Sequence, residues 1–294
     1  MIKNLISVND IDEKLISSVF YHADNFRHNL TNLRYLKSYT QRFPYLMGTI
    51  FFEPSTRTRI SFEAAMRHLG GAVVTMDDEN KSSQAKGENF EDTIKTISQY
   101  VDLLVLRHPT RGYAKLAAEY CDVPLINAGD GDGEHPTQAL LDLYTIKREL
   151  GRYDNLNILF FGDIEYSRTK NSLEKLLLRY ENNTFMEEAS YYKQGDDEFC
   201  KDLWVDKLKI ADVIYITRNQ YERWSEGKIS KNISIGQEEI DLIKKNAIIL
   251  HPLPRNNEIN KIIDNDPRVA YWRQVKNGLY VRMALIHELI NNNE

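Results

Sequence analysis

Residues 48–71 read "GTIFFEPSTRTRISFEAAMRHLGG". The first five form a short apolar run of strand length. A polar loop follows, holding Pro54, the hydroxyls of Ser55, Thr56 and Thr58, and the cations Arg57 and Arg59. An amphipathic helical run then ends at Gly70 and Gly71. Strand, polar loop and helix together make the opening of a parallel α/β unit. Ser55, Thr56, Arg57 and Thr58 stand where the helix begins, so backbone N–H groups and the helix dipole add to the side chains in holding an anion, and phosphate is the expected ligand. The competing reading makes Ser55 or Thr56 a plain N-cap and the arginines surface charges.

The same alternation spreads outward from this stretch. "AVVTM" (72–76), "DLLVL" (102–106) and "VPLIN" (123–127) continue the first series, with a helix over 89–101 that places Phe90, Ile94, Ile97 and Val101 on one face. A second series runs through "LNILFFGD" (156–163), "ADVIYITR" (211–218) and "AIILHP" (247–252). The helix over 136–150 lies between the two series and bridges them. The final helix, "GLYVRMALIHELI" (278–290), carries the stripe Leu279, Met283, Ile286 and Ile290, which must pack on something. The pattern predicts an α/β fold of two Rossmann-like domains with parallel sheets joined by interdomain helices. The expected domains are 1–137 with 279–294, and 138–278.

Composition narrows the function. The 294 residues carry 38 Lys and Arg against 43 Asp and Glu, a net charge of −5 that argues against a broad nucleic-acid footprint and makes a local arginine cluster stand out. Two cysteines, Cys121 and Cys200, supply neither a disulfide framework nor a thiolate metal site. No apolar run is long enough to span a bilayer, and the N-terminus lacks a signal-peptide pattern, so a cytoplasmic location is expected.

Open parallel sheets bind ligands beyond the carboxyl ends of their strands. The segments that follow the strands here are "EPSTRTR", "RHPTR" and "AGDGDGEHPTQ" in the first series, and "GDIEYSRT", "TRNQYER" and "HPLPR" in the second. Pro136 at a first helical position leaves His135 at the helix start, where the dipole favours a neutral imidazole able to donate to a carbonyl oxygen. Arg168 and Arg218, with Gln220 nearby, suit the two carboxylates of a second ligand. "GDIEYS" lacks the G-x-G-x-x-G spacing, which argues against a nicotinamide cofactor. His22, His28, His68, His108 and His287 are read as structural, and His251 is left open.

Together these residues resemble the aspartate carbamoyltransferase family. "STRTR", "RHP", "NAGDG" with "HPTQ", the "GD", Tyr, "RT", "NSL" series, "TR", Gln, "ER" and "HPLPR" occur in the family's order over about positions 48–283. Ornithine carbamoyltransferases share the phosphate motif and a similar fold but typically carry cysteine in the counterparts of "HPTQ" and "HPLP", where this chain has Thr137 and Leu253. The resemblance implies the transcarbamoylase fold and carbamoyl transfer from carbamoyl phosphate to L-aspartate in de novo pyrimidine biosynthesis, without cofactor or metal. It implies that Ser55, Thr56, Arg57 and Thr58 bind the phosphate, that Thr58, Arg107 and His135 meet the carbonyl oxygen, and that Gln138 and the carbonyls of Leu253 and Pro254 hold the amide. Arg168, Arg218 and Gln220 would grip aspartate. The polar loop "DDENKSSQAKGE" (77–88) would bring Ser82 and Lys86 into a neighbouring subunit's site in a homotrimer, and Glu53 would bridge to Arg168 and Arg223 when the domains close.

The chain departs from the family pattern between Arg168 and Arg218. That interval is polar where relatives carry a clear apolar strand and a helix, and a trimmed aspartate domain is expected there; Glu165 stands where some relatives have lysine. Another amino acceptor such as ornithine, a non-catalytic ligand-binding relative, and an unrelated phosphate-handling Rossmann enzyme are the competing readings. A regulatory chain is possible but not indicated.

Overall fold

The computed structural model describes residues 2–30, 44–77, 87–193, 201–221, 224, 228–231 and 233–291. Ser82, Lys86 and Arg223 lie outside these described residues. The chain divides into two compact units, Met1–Leu141 with Lys276–Glu294, and Asp142–Val275.

The first unit is built on four parallel strands, β1 (Leu46–Phe51), β2 (Ala72–Met76), β3 (Leu103–His108) and β4 (Leu125–Asp130), in the order β2-β1-β3-β4. Every residue of β3 and β4 is buried, as expected for parallel strands covered on both faces. Helices α1 (Glu13–Asn29), α2 (Thr56–Leu69), α3 (Phe90–Ser98) and α4 (Tyr113–Tyr120) belong to this unit. The face anticipated for α3 packs as read: Ile94 is fully buried, and Phe90 and Ile97 lie against a core of Ile50, Leu104, Leu106 and Leu125. Leu5 pairs with the outer edge of β4, donating to Leu125 O at 2.8 Å and accepting from Asn127 N at 2.8 Å, which covers that edge.

Helix α5 (Pro136–Leu150) begins in the first unit and ends in the second. The second unit holds β5 (Asn157–Gly162), α6 (Arg168–Leu177), β6 (Thr184–Ala189), β7 (Tyr191–Lys193), α7 (Lys201–Ile210), β8 (Val213–Thr217), β9 (Lys228–Ser230), α8 (Gln237–Leu242) and β10 (Ile248–Leu250). Its parallel sheet has the order β10-β8-β5-β6, and β7 pairs antiparallel with β9. Phe161, Leu208, Ile214, Ile216 and Ile249 anchor its core. Each such buried side chain contributes on the order of 1.5–3 kcal/mol.

The interval from Arg168 to Arg218, polar in sequence, holds a strand and a helix: all six residues of β6 pair with β5, and α7 follows. The strand looks polar because it is an edge strand with one neighbour, and Glu187 and Glu188 are used in ion pairs, the first with Lys170, the second with Lys207 at 2.7 Å and Lys231 at 2.9 Å. The final helix, α9 (Tyr271–Asn291), starts seven residues earlier than Gly278 suggested. Gly278 is no breaker. A Cβ there would stand 3.2 Å from Leu141 and 2.7 Å from the Arg282 guanidinium, so the glycine permits close packing of α9 on α5 within the first unit. The stripe itself is as expected, with Met283, Ile286 and Ile290 buried.

Candidate active site

Both strand orders contain a topological switch point, where successive connections leave in opposite directions. It falls between β1 and β3 in the first unit and between β5 and β8 in the second. The crevice outside the carboxyl ends at such a point is where open α/β sheets take ligands. The segments at the carboxyl ends of those four strands are "EPSTRTR", "RHPTR", "GDIEYSRT" and "TRNQY".

In the first unit Ser55 occupies the N-cap of α2 but makes no capping hydrogen bond, with φ −155° and ψ 101°. The plain N-cap reading therefore does not describe this residue. Thr56 and Arg57 are exposed on the first turn, while Thr58 is buried. The two arginines of the motif have separate fates. Arg59 is held by Asp77 at 2.5 Å and Glu63 at 3.7 Å. Arg107, at the end of β3, is buried; it donates to the Glu53 carboxylate at 2.8 Å and to Ala128 O at 3.2 Å. Phe52 N donates to Arg107 O at 2.9 Å, so the loops after β1 and β3 are tied by backbone and by charge. The expected partners of Glu53 were Arg168 and Arg223; within its own unit its partner is Arg107.

The loop after β4 is shaped by Asp130, whose carboxylate accepts from Gly112 N at 3.0 Å and Glu134 N at 2.9 Å. Glu134 in turn accepts from Val8 N at 2.6 Å. His135 then sits buried at the start of α5, its Nδ1 3.4 Å from the Thr137 hydroxyl and its carbonyl accepting from Gln138 N and Ala139 N. Gln138 is buried one turn into the same helix. His108 is structural as read: its ring stacks on Tyr113 at 3.8 Å, its Nδ1 accepts from Thr110 N, and burial pushes its pKa down.

In the second unit the two switch-point loops share one carboxylate. Asp163, fully buried, accepts from Gln220 N at 2.9 Å, from the Trp224 indole at 2.8 Å and from Tyr166 N at 3.2 Å. This sets Arg168, buried at the first position of α6, and Arg218 and Gln220 after β8 on a common frame. Gly162 lets β5 and β8 close up at that point: its φ is 114°, and a Cβ would lie 2.0 Å from Thr217 O. Glu165 is exposed, with its carboxylate accepting from the Tyr191 hydroxyl at 2.9 Å.

After β10, "HPLPR" forms a pinned turn. The Leu253–Pro254 bond is cis, and Leu253 has φ 58°. Arg255 clamps Asp264 through two donors and also donates to the Tyr271 hydroxyl at 2.8 Å. His251, left open from the sequence, is fully engaged: Nδ1 accepts from Leu253 N at 2.8 Å and Nε2 lies 2.9 Å from Glu258. Sequence reasoning passed over Asp163, Asp130 and Glu258. Asp163 and Asp130 stand inside quoted segments and Glu258 just after one, but a carboxylate that binds backbone N–H groups from another loop leaves no local spacing signal.

Among the described residues, one group of three side chains could approach a metal, His22, His287 and Glu288 on α1 and α9. These groups are committed to one another and to their neighbours: Glu288 accepts from Ser18 and lies 3.2 Å from His22, and His287 bonds Asn291 at 2.8 Å.

Residues 3–148 match the family described as Aspartate/ornithine carbamoyltransferase, carbamoyl-P binding domain, and residues 154–289 match the Asp/Orn binding domain of the same family. Fold and matches together define a carbamoyltransferase. The chain is 42% identical to the aspartate carbamoyltransferase catalytic subunit of Methanocaldococcus jannaschii, over 99% of each chain, and 40% identical to that of Picrophilus torridus over 99% and 100%. The solved catalytic subunit of the M. jannaschii aspartate transcarbamoylase superposes with a TM-score of 0.84 at 40% identity, covering 99% of both chains. A Trypanosoma cruzi aspartate transcarbamoylase in complex with carbamoyl phosphate and aspartate gives 0.80 at 32% identity, covering 96% of this chain and 95% of that one. The chain belongs to the aspartate carbamoyltransferase family.

Proposed function

We propose that the chain transfers the carbamoyl group of carbamoyl phosphate to the amine of L-aspartate, giving N-carbamoyl-L-aspartate and phosphate. The observation that carries this reading is the placement of cationic and neutral donors at the switch points of both sheets in a chain that matches 99% of a relative's length. An uncapped helix start rich in hydroxyls receives the phosphate, through Ser55, Thr56, Arg57, Thr58 and the first N–H groups of α2. Thr58, Arg107 and His135 donate to the carbonyl oxygen. Gln138 and the carbonyls of Leu253 and Pro254 hold the carbamoyl amide. Arg168, Arg218 and Gln220 take the carboxylates of aspartate, where the fork geometry of arginine suits bidentate pairing.

The neutral amine attacks the carbamoyl carbon, and a C–N bond forms as the carbonyl oxygen gains negative charge. Donors aimed at such an oxyanion contribute roughly 2.7–4 kcal/mol each in hydrolases. The C–O bond to phosphate then breaks, phosphate departs with that electron pair, and the amine proton passes to it. Holding two reactants in line supplies much of the remaining acceleration.

The reading includes a homotrimer in which Ser82 and Lys86 of one subunit complete the neighbour's site, and a cytoplasmic location. Exposed apolar side chains support association: Ile60 on α2 and Val74 on the edge strand β2 are each about half exposed. No helix among the described residues is long and apolar enough to cross a membrane. Incubation of purified chain with carbamoyl phosphate and either aspartate or ornithine, with products identified by mass, tests the assignment. Carbamoyl aspartate is expected; carbamoyl ornithine alone, or no product, would overturn it.

A further inference from the structure

A buried polar relay in the second unit lies outside the roles assigned above. The Tyr215 hydroxyl on β8 donates to Asp142 at 2.8 Å, and the Gln274 amide donates to the other oxygen of Asp142 at 2.6 Å. Gln274 Oε1 accepts the backbone N–H of His251 at 2.9 Å. His251 Nδ1 accepts the N–H of Leu253 at 2.8 Å, which leaves the ring proton on Nε2 to be donated to Glu258 at 2.9 Å. Glu258 also accepts from Asn256 N at 2.8 Å. None of these five side chains is more than 4% exposed. Burial alone would raise the Glu258 pKa, but its hydrogen bonds from His251 and Asn256 hold it below the usual carboxylate range.

The end of this relay is a backbone that does not hold itself. Leu253 is a non-glycine residue at φ 58°, a strained conformation that persists only where neighbours over-determine it. The bond from Leu253 N–H to the His251 ring bridges the residue directly, and Gln274 fixes the backbone from which that ring projects. We propose that His251 is a positioning residue for the transfer reaction, setting the Leu253 and Pro254 carbonyls through its Nδ1 while Gln274 and Asp142 hold it in place. This rests on the carbamoyl-transfer reading, in which those carbonyls orient the carbamoyl amide. A loosened turn lowers the rate at saturating substrate, because misplacement of a reacting group by about 1 Å costs up to about 100-fold.

The two nitrogens of the ring can be imitated separately. His251→Asn keeps an acceptor at the Nδ1 position for the N–H two residues on, as in an Asx turn, and loses the link to Glu258. His251→Gln reaches Glu258 and abandons Leu253. Steady-state kinetics on wild type and both variants, with thermal midpoints measured alongside, should show kcat within about threefold of wild type for Asn and about 10- to 100-fold lower for Gln. KM for aspartate should change little in either. Equal kcat values in the two variants, or the reverse order, would overturn the proposal, as would a pair whose only change is a lower midpoint. Wild type is assayed first: absence of carbamoyl aspartate there removes the transfer reading, and the positioning role with it, whereas an active wild type with indifferent variants removes only the latter.

Discussion

Glu53 illustrates what a single acid can do beside an anion-binding loop. Left unpaired it would repel phosphate. Bound to Arg107 at 2.8 Å it instead fixes the plane of a guanidinium whose other terminal nitrogen donates to Ala128 O. Glu53→Gln keeps one acceptor but removes the charge, and a charge-assisted bond is worth roughly twice a neutral one. We expect KM for carbamoyl phosphate to rise by about fivefold, equivalent to about 1 kcal/mol, in initial-rate measurements at saturating aspartate. A change confined to aspartate would instead fit the partners expected from the family, Arg168 and Arg223. The residue types at the site were readable from the sequence because each follows a strand. Their partners were not, since Glu53, just after β1, and Arg107, at the end of β3, belong to strands that are adjacent only in the folded sheet.

At the scale of elements, α1 and α9 meet through His22, Phe26, His287 and Glu288. Burial, then the neighbouring His22, pushes the His287 pKa down to about 4, against the opposing pull of Glu288. In the unfolded chain that imidazole titrates near 6.5. As pH falls from about 6.5 to about 4 the unfolded state takes up the proton and the folded state does not, so stability present above that window is lost within it. His287→Gln should flatten this part of the profile: its thermal midpoint should fall by a few degrees less than that of wild type between pH 7 and pH 4.5. Parallel curves for the two proteins would show that His287 does not titrate there. Strand β6 teaches a related lesson about elements. Its strand character was hidden by Glu187 and Glu188, which serve as ion-pair partners for buried or half-buried lysines on α6, α7 and the segment after β9. Edge position, which decides whether a polar strand is tolerable, is a property of the sheet and not of the segment.

For the whole molecule, the shared-site reading makes a prediction that does not depend on any single contact. Lys86→Ala and Arg107→Ala chains should each be inactive alone. After subunit exchange, a mixed trimer would contain about one site in three with both native residues, given cyclic symmetry. Partial recovery of carbamoyl aspartate formation, scaling with the mixed fraction resolved by native mass spectrometry, is the expected result. Inactivity of well-formed hybrids would place Lys86 and Arg107 in the same subunit's site or remove one of them from it.

What the linear chain determined by itself was the alternation of apolar strands with amphipathic helices and the chemistry of the segment after each strand, because both are written in periods of a few residues. That was sufficient for two parallel α/β units and for the candidate donors. The tertiary structure alone decided which strands became neighbours, and therefore that Asp163 ties two loops of the second unit and that a relay from Tyr215 through Asp142 and Gln274 ends on His251. Buried polar groups must find partners wherever the fold places them, and those partners lie as many as 132 residues away along the chain, beyond the reach of any local pattern.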